Sequence, residues 1–273
     1  MQGGQWQVLY LVERLKNATL LAPADSPLLA EARKRGLDAK PLSRFPNELS
    51  GADLIHAHDA RAHTYGAFAN FGRTARSLVV SRRVGFPVKQ TIVSRWKYLQ
   101  ATMFLAVSKF VAARLKNAGV EKGVVRVVYD GIPIPPSPAK PERGRVAAVP
   151  GKSVELPGIP VHLSTNLFDD LSRASVFLYV SEMEGLGSAA IAAMAAGVPV
   201  VASGVGGLPE AVEHERTGLI VRDGDYAGAV RRLLDNPKFA ADLGAAGREK
   251  ATREFSVEKM VESTLNAYNE ILK

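Results

Sequence analysis

Along almost the whole chain, short apolar runs alternate with helical patterns, and no other feature limits the possible folds so strongly. In the first half "ATLLAP", "LDAKPL", "ADLIHAH", "SLVVSRR", "TMFLAVS" and "VVRVVYDG" read as strands. Several are continuously apolar, as strands covered on both faces are. "QWQVLYLVERLKN", "SPLLAEARKRG", "TIVSRWKYLQ" and "KFVAARLKNAG" read as helices between them. Ser26 is placed to act as an N-cap, Pro27 takes the first helical position, and Gly36 and Gly119 lie just past helix ends. Strands separated by helices predict parallel sheets with helices packed on both faces.

The alternation breaks once. "IPIPPSPAKPERG", Ile132 to Gly144, holds five prolines in thirteen residues and predicts a stiff extended linker. After it "IPVHLS", "SVFLYVS", "VPVVAS" and "HERTGLIVRD" supply strands, "NLFDDLSRA" and "SAAIAAMAAG" supply helices, and the chain ends in helical patterns. The 273 residues therefore divide into an N-terminal lobe over 1–131, a linker over 132–144, a C-terminal lobe over 145–255 and a final helix over 256–273.

Cysteine is absent, which excludes a disulfide framework, a thiolate nucleophile and a cysteine metal site. The five histidines show no metal-ligand spacing beyond His56-x-His58. No apolar stretch approaches the length of a membrane span and the N-terminus lacks a signal-peptide pattern, so a cytoplasmic protein is expected. The formal charge of +8 is unevenly placed: residues 1–150 carry +13 and residues 151–273 carry −5. From Ala60 to Val120 eleven Lys or Arg occur with no acidic residue. A field of one sign over a whole lobe attracts anionic partners such as a phospholipid surface or nucleotide phosphate; the competing reading is a solvated surface kept for solubility. A nucleic-acid partner is not expected, because no nucleic-acid motif is present.

Two glycine turns follow consecutive strands. In "EGLGSAAIAAMAAG", Gly185 and Gly187 allow a tight turn, Ser188 is placed to cap the helix, and the backbone N–H groups at its start suit a phosphate or a sugar hydroxyl. "SGVGGLPEAV" contributes Gly204, Gly206 and Gly207. In an open parallel sheet both turns would line one crevice beyond the carboxyl ends of the strands. Tight loops without a ligand are the alternative.

Taken together, "SEMEGLGSAAIAAMAAGVPVVASGVGGLPEAVEHERTGLIVRDGD", "ADLIHAHDARAH", "FLAVSKFVAARLKNAGVEKGVVRVVYDGIPI" and "REFSVEKMVESTLNAY" resemble the retaining glycosyltransferases of the GT-B fold, family 4, also called group 1. The resemblance implies an α/β protein of two Rossmann-like lobes, the first for the acceptor and the second, shortened, for a nucleotide-sugar. It implies a nucleotide-sugar as substrate, no metal cofactor and a glycan or glycolipid acceptor. By position His58 would contact the transferred sugar, and Glu184 would be the first glutamate of the family's Glu-x7-Glu signature. Gly3 and Gly4 match the N-terminal glycine loop, which would approach the donor phosphate or the acceptor. Gly185, Leu186, Gly187, Ser188, Gly206 and Gly207 match the donor-binding turns, and Lys152 the lysine that holds the diphosphate. Each has a plain alternative: a strand-end histidine bonded to backbone, a solvated loop carboxylate, a surface lysine.

The chain departs from the family pattern in three places. Ala192 stands where the second signature glutamate would hydrogen-bond the ribose. Few residues separate Lys152 from "IPVHLS", so about half the donor-lobe sheet is expected, with an exposed strand edge. The arginine that accompanies the lysine has only Arg145 as a candidate. The expected function is transfer of a sugar with retention to a membrane-associated or cell-envelope glycan such as lipopolysaccharide, at the inner face of a membrane. The alternative is a non-catalytic remnant that binds a sugar nucleotide or glycan; a sugar-nucleotide epimerase is a distant third.

Overall fold

The computed structural model describes residues 3–42, 49, 51–71, 76–88, 91–121 and 124–272. The chain forms two compact units. The first holds residues up to Val107, Val111–Gly131 and Met260 onward; the second holds Ser108–Phe110 and Ile132–Lys259.

The first unit opens with α1 (Gly3–Val12), β1 (Leu20–Ala22), α2 (Pro27–Lys34) and β2 (Ala39–Pro41). Ser26 accepts the Leu29 N–H, and Gly36 closes α2 with φ +73°, as its sequence demands. The strands β1 and β2 form a parallel pair. Next come β3 (Leu54–Ala57), α3 (Ala60–Asn70), β4 (Ser77–Arg82), α4 (Ile92–Leu99), β5 (Met103–Ala106), α5 (Lys109–Asn117) and β6 (Val125–Val127). They build a four-stranded parallel sheet in the order β3-β4-β5-β6.

Helix α3 is not legible in the apolar pattern, which has no clear stripe there; its start is fixed by Asp59, whose carboxylate accepts the Arg61 and Ala62 N–H groups. Gly66 lets α3 sit on the sheet, because a Cβ there would lie 2.7 Å from Leu78. The glycine pair expected as an N-terminal loop is instead the first turn of α1.

No helix or strand forms between Ile132 and Gly144, which is bonded along the second unit: the Ala139, Lys140 and Glu142 N–H groups donate to the carbonyls of Ala196, Ser172 and Arg173. The second unit then runs β7 (Val146–Ala148), β8 (Val161–Leu163), α6 (Leu167–Leu171), β9 (Val176–Tyr179), α7 (Ser188–Ala195), β10 (Val200–Ser203), α8 (Leu208–Ala211), β11 (Gly218–Val221), α9 (Tyr226–Leu234) and α10 (Pro237–Glu254). The last helix, α11 (Val257–Ile271), belongs to the first unit from Met260 on.

All five strands are parallel, in the order β11-β10-β9-β7-β8. The sheet of this short lobe includes β7, where three buried residues, Val146, Ala147 and Ala148, too brief to stand out in the sequence, form the second strand from one edge. The outer edge, β8, is indeed partly exposed at Val161, His162 and Leu163.

The core of this unit joins Val146, Leu178, Val201 and Leu219 of the sheet to Val230 and Leu243 of the covering helices. Helix α7 is apolar nearly all round and is buried from Ala190 to Ala195, as such a helix must be. It packs on α10 where both backbones lack side chains, and a Cβ on Gly244 would lie 2.2 Å from the Gly197 carbonyl oxygen.

Candidate functional site

At the carboxyl ends of β7, β9 and β10 the second unit gathers one charged cluster. Lys152 follows β7, Ser181 and Glu184 follow β9, and Tyr179 is the last residue of β9. Lys152 Nζ donates to Ser181 Oγ at 2.6 Å and pairs with Glu184 Oε2 at 3.3 Å. Tyr179 donates its hydroxyl to the same Oε2 at 2.8 Å, and the Gly185 N–H reaches Oε1 at 3.2 Å. Glu184 is thus a held carboxylate. Burial pushes the Tyr179 phenol up, and the neighbouring Glu184 charge pushes it further, so it stays a neutral donor.

The two glycine turns meet at this carboxylate. Gly207 N–H donates to the Glu184 carbonyl at 3.0 Å. A Cβ on Gly206 would lie 2.0 Å from that carbonyl oxygen, and one on Gly207 would lie 2.0 Å from the Gly185 oxygen. Backbone against backbone is the reason both must be glycine. Gly187, at φ +96°, is the N-cap of α7, so Ser188 is its first helical residue and not the cap; no side chain caps this end. Leu186 is buried beneath the turn. Ala192, on the same helix, is buried and offers no polar atom.

Arg145 does not join this group. It precedes β7, at the amino end of the sheet, and is paired with Asp170 at 2.9 Å and Glu142 at 3.3 Å. Ligands of parallel sheets bind at the opposite end.

A second cluster lies in the first unit at the carboxyl ends of β3 and β4. His58 and Arg83 are brought together there, with Arg83 Nη1 3.4 Å from His58 Nδ1. Asp130 fixes the guanidinium through Nε at 2.8 Å. Gly4 is beside it: a Cβ there would lie 3.9 Å from Arg83 Cδ, whereas Gly3 faces open space. Behind His58, His56 bonds Tyr268 at 2.5 Å and Ser81 at 2.8 Å, its ring 3.8 Å from that of His58. Burial, then His56 and Arg83, hold His58 well below its ordinary pKa, and burial with Arg83 lowers His56 to about 3. Both imidazoles are neutral at physiological pH; His56 has both ring nitrogens engaged, whereas His58 can hydrogen-bond a hydroxyl but not supply a proton.

Sequence reasoning missed Tyr179, Ser181, Arg83 and Asp130. Tyr179 stood inside an apolar strand, where its polar tip was the signal; Arg83 ended another, and Asp130 lies 47 residues from it, a pairing no local pattern carries. Among the described residues no group of three or more His, Cys, Asp or Glu could hold a metal ion.

Two family models match this chain: "Glycosyltransferase Family 4" over residues 1–134 and "Glycosyl transferases group 1" over residues 162–250. The chain belongs to the family 4, group 1 glycosyl transferases. The second match contains Glu184 and both glycine turns; the first contains His58 and Arg83. Alpha-maltose-1-phosphate synthase of Mycolicibacterium smegmatis is 38% identical over 122 residues, which cover 41% of this chain and 31% of that one. The chain spans about a third of the length of the curated relatives it matches. Among solved structures, Anabaena HepE in complex with UDP-glucose matches with a TM-score of 0.86 at 16% identity, over 99% of this chain and 97% of the other. The apo form of the lipopolysaccharide outer core galactosyltransferase WaaB gives 0.74 at 13%, over 99% and 96%. At these identities the likeness shows the fold, which is GT-B with two Rossmann-like lobes.

Proposed function

We propose that this family 4 member transfers a sugar with retention from a nucleotide-sugar to a membrane-associated or cell-envelope glycan. The observation that carries the reading is the Lys152–Glu184 pair at the carboxyl ends of the strands, beside the uncapped start of α7. Lys152 would take the diphosphate and offset the charge that develops on the leaving group. Glu184 would accept hydroxyl hydrogen bonds from the donor sugar, with Leu186, Gly187 and Ser188 presenting backbone N–H groups, Gly185 holding the carboxylate through its own N–H, and Gly206 and Gly207 keeping the turns in register. His58, with Gly3 and Gly4, is assigned the transferred sugar and acceptor side. Positioning and leaving-group stabilisation then account for the rate without a protein nucleophile. HepE's complex with UDP-glucose supports a nucleotide-sugar donor, and WaaB's name supports an envelope acceptor. The basic N-terminal lobe supports an anionic membrane surface as a further partner. No helix among the described residues is long and apolar enough to cross a membrane.

A non-catalytic sugar-nucleotide-binding remnant is the second reading, and Ala192 favours it. Calorimetric titration of UDP-, GDP- and ADP-sugars, with Glu184→Ala as control, tests the site. Binding lost in the variant supports it, and binding by the wild type without hydrolysis or transfer selects the remnant. Absence of binding to the folded protein overturns both. The anomeric configuration of a product, read by NMR, tests retention.

A further inference from the structure

We propose that α4 and the end of α3 form an insertion face for an anionic lipid bilayer, with Ile92, Val93 and Leu99 entering the headgroup boundary. This deepens the membrane-surface reading of the basic lobe and rests on it.

Helix α4 carries its apolar residues on the outside. Ile92, Trp96 and Leu99 share one helical face, with Val93 beside them. Ile92 is 87% exposed, Leu99 82%, Val93 68%, and on α3's end Phe68 is 64% and Phe71 68% exposed. Trp96 joins the two helices into one patch, its ring 5.1 Å from Phe68 and 5.9 Å from Phe71. The other side of α4 is the anchored one: Tyr98 stacks on Phe104 at 5.2 Å and accepts from Arg82 Nη1 at 2.8 Å. No residue of α4 is buried. A helix that served only the core would present the opposite arrangement, and contiguous exposed apolar surface of this kind marks an interaction site.

The charge around the patch chooses the partner. Arg95 and Lys97 flank the apolar face on either side of the helical repeat, and the sequence from Ala60 to Val120 contains no carboxylate to repel phosphate. Of the cations in that stretch, Arg73 and Lys89 lie outside the described residues. Aliphatic side chains in the plane with cations at their rim are the pattern of an interfacial helix on anionic lipid. A nucleic acid fits less well, since Ile92, Val93 and Leu99 offer no stacking face and both phenylalanines already pack on Trp96.

Trp6 and Trp96 are the two tryptophans, so a Trp6→Phe chain reports from the patch alone. It is mixed with phosphatidylcholine vesicles with or without phosphatidylglycerol and followed by emission and flotation. The expected result is a blue shift of Trp96 and flotation with the anionic vesicles. Ile92→Ser/Val93→Ser/Leu99→Ser should lower partitioning about tenfold or more, with melting and donor binding unchanged because these side chains are exposed. Arg95→Glu should weaken it as well. Equal flotation of the triple variant overturns the insertion face and leaves lobe-wide attraction standing. Failure of the parent to float overturns both, and retention of duplex DNA or RNA in place of vesicles makes the face a nucleic-acid surface. Donor calorimetry on the same samples keeps all these outcomes separate from the transferase reading.

Discussion

Glu184 receives three hydrogen-bond donors, two of them on Oε2, and at the proposed site that sharing would set the order of events when a nucleotide-sugar arrives. A diphosphate carries more charge than a carboxylate and would draw Lys152 away from Glu184. Tyr179 then remains on Oε2 to keep the carboxylate in place. Tyr179→Phe should therefore weaken nucleotide-sugar binding about ten- to a hundredfold, the roughly 1.5–3 kcal/mol of one hydrogen bond to a charged group, while binding of the free nucleoside diphosphate stays near wild type. Equal losses for both ligands, by calorimetry, would mean that the tyrosine serves Lys152 or the fold instead. Lys152→Ala should show the reverse split, with the larger loss for the diphosphate. At this scale the sequence was partly legible. Glu184 and the glycines stood in a recognisable pattern, whereas Tyr179 and Arg83 act through partners fixed only by how strands lie side by side.

Two loops following neighbouring strands are locked together by the absence of side chains. Gly206→Ala brings a methyl group to 2.0 Å from the Glu184 carbonyl oxygen, in a residue already at φ +58°. Relief requires moving one glycine turn off the other, so a stability loss of about 3 kcal/mol is expected, with loss of donor binding. Gly224→Ala is the comparison: its φ is +87° but nothing lies within 4 Å of the added Cβ, so a loss of only about 1 kcal/mol is expected. Thermal melts that rank the two alike would show that the turns are not packed as described. The contrast explains which elements the sequence revealed. Long apolar runs such as that of α7 and capped helices such as α2 were visible because their cause is local. α3 has no apolar stripe and takes its position from Asp59 and Gly66, and β7 is three residues whose strand character comes from neighbours on both sides.

Across the whole molecule, the histidines held below their ordinary pKa all lie in one unit, the first, and are His56, His58 and His63. For His63 burial is the main cause, with Lys97 and Arg82 nearby, and the value falls to about 4 even though the ring bonds the Lys97 carbonyl at 3.1 Å. Folded, these imidazoles are neutral at physiological pH; unfolded, each takes up a proton near pH 6.5. Between pH 6.5 and the folded values, about 4 for His63 and about 3 for His56, the unfolded chain binds more protons. Stability is therefore full above that window and falls as the pH drops through it, by up to about 1.4 kcal/mol per pH unit for each histidine. Trp6 and Trp96 both lie in the first unit, so urea unfolding followed by tryptophan emission reads that unit alone. The unfolding midpoint should decline steeply from pH 7 to pH 5, and His63→Gln should flatten the decline by about a third of its slope, whatever it does to the midpoint at pH 7. A midpoint independent of pH would show that these histidines titrate in the fold as they do unfolded, near pH 6.5. His58 would then become charged beside Arg83 below about that pH, and the neutral hydrogen-bonding role assigned to it would hold only above it.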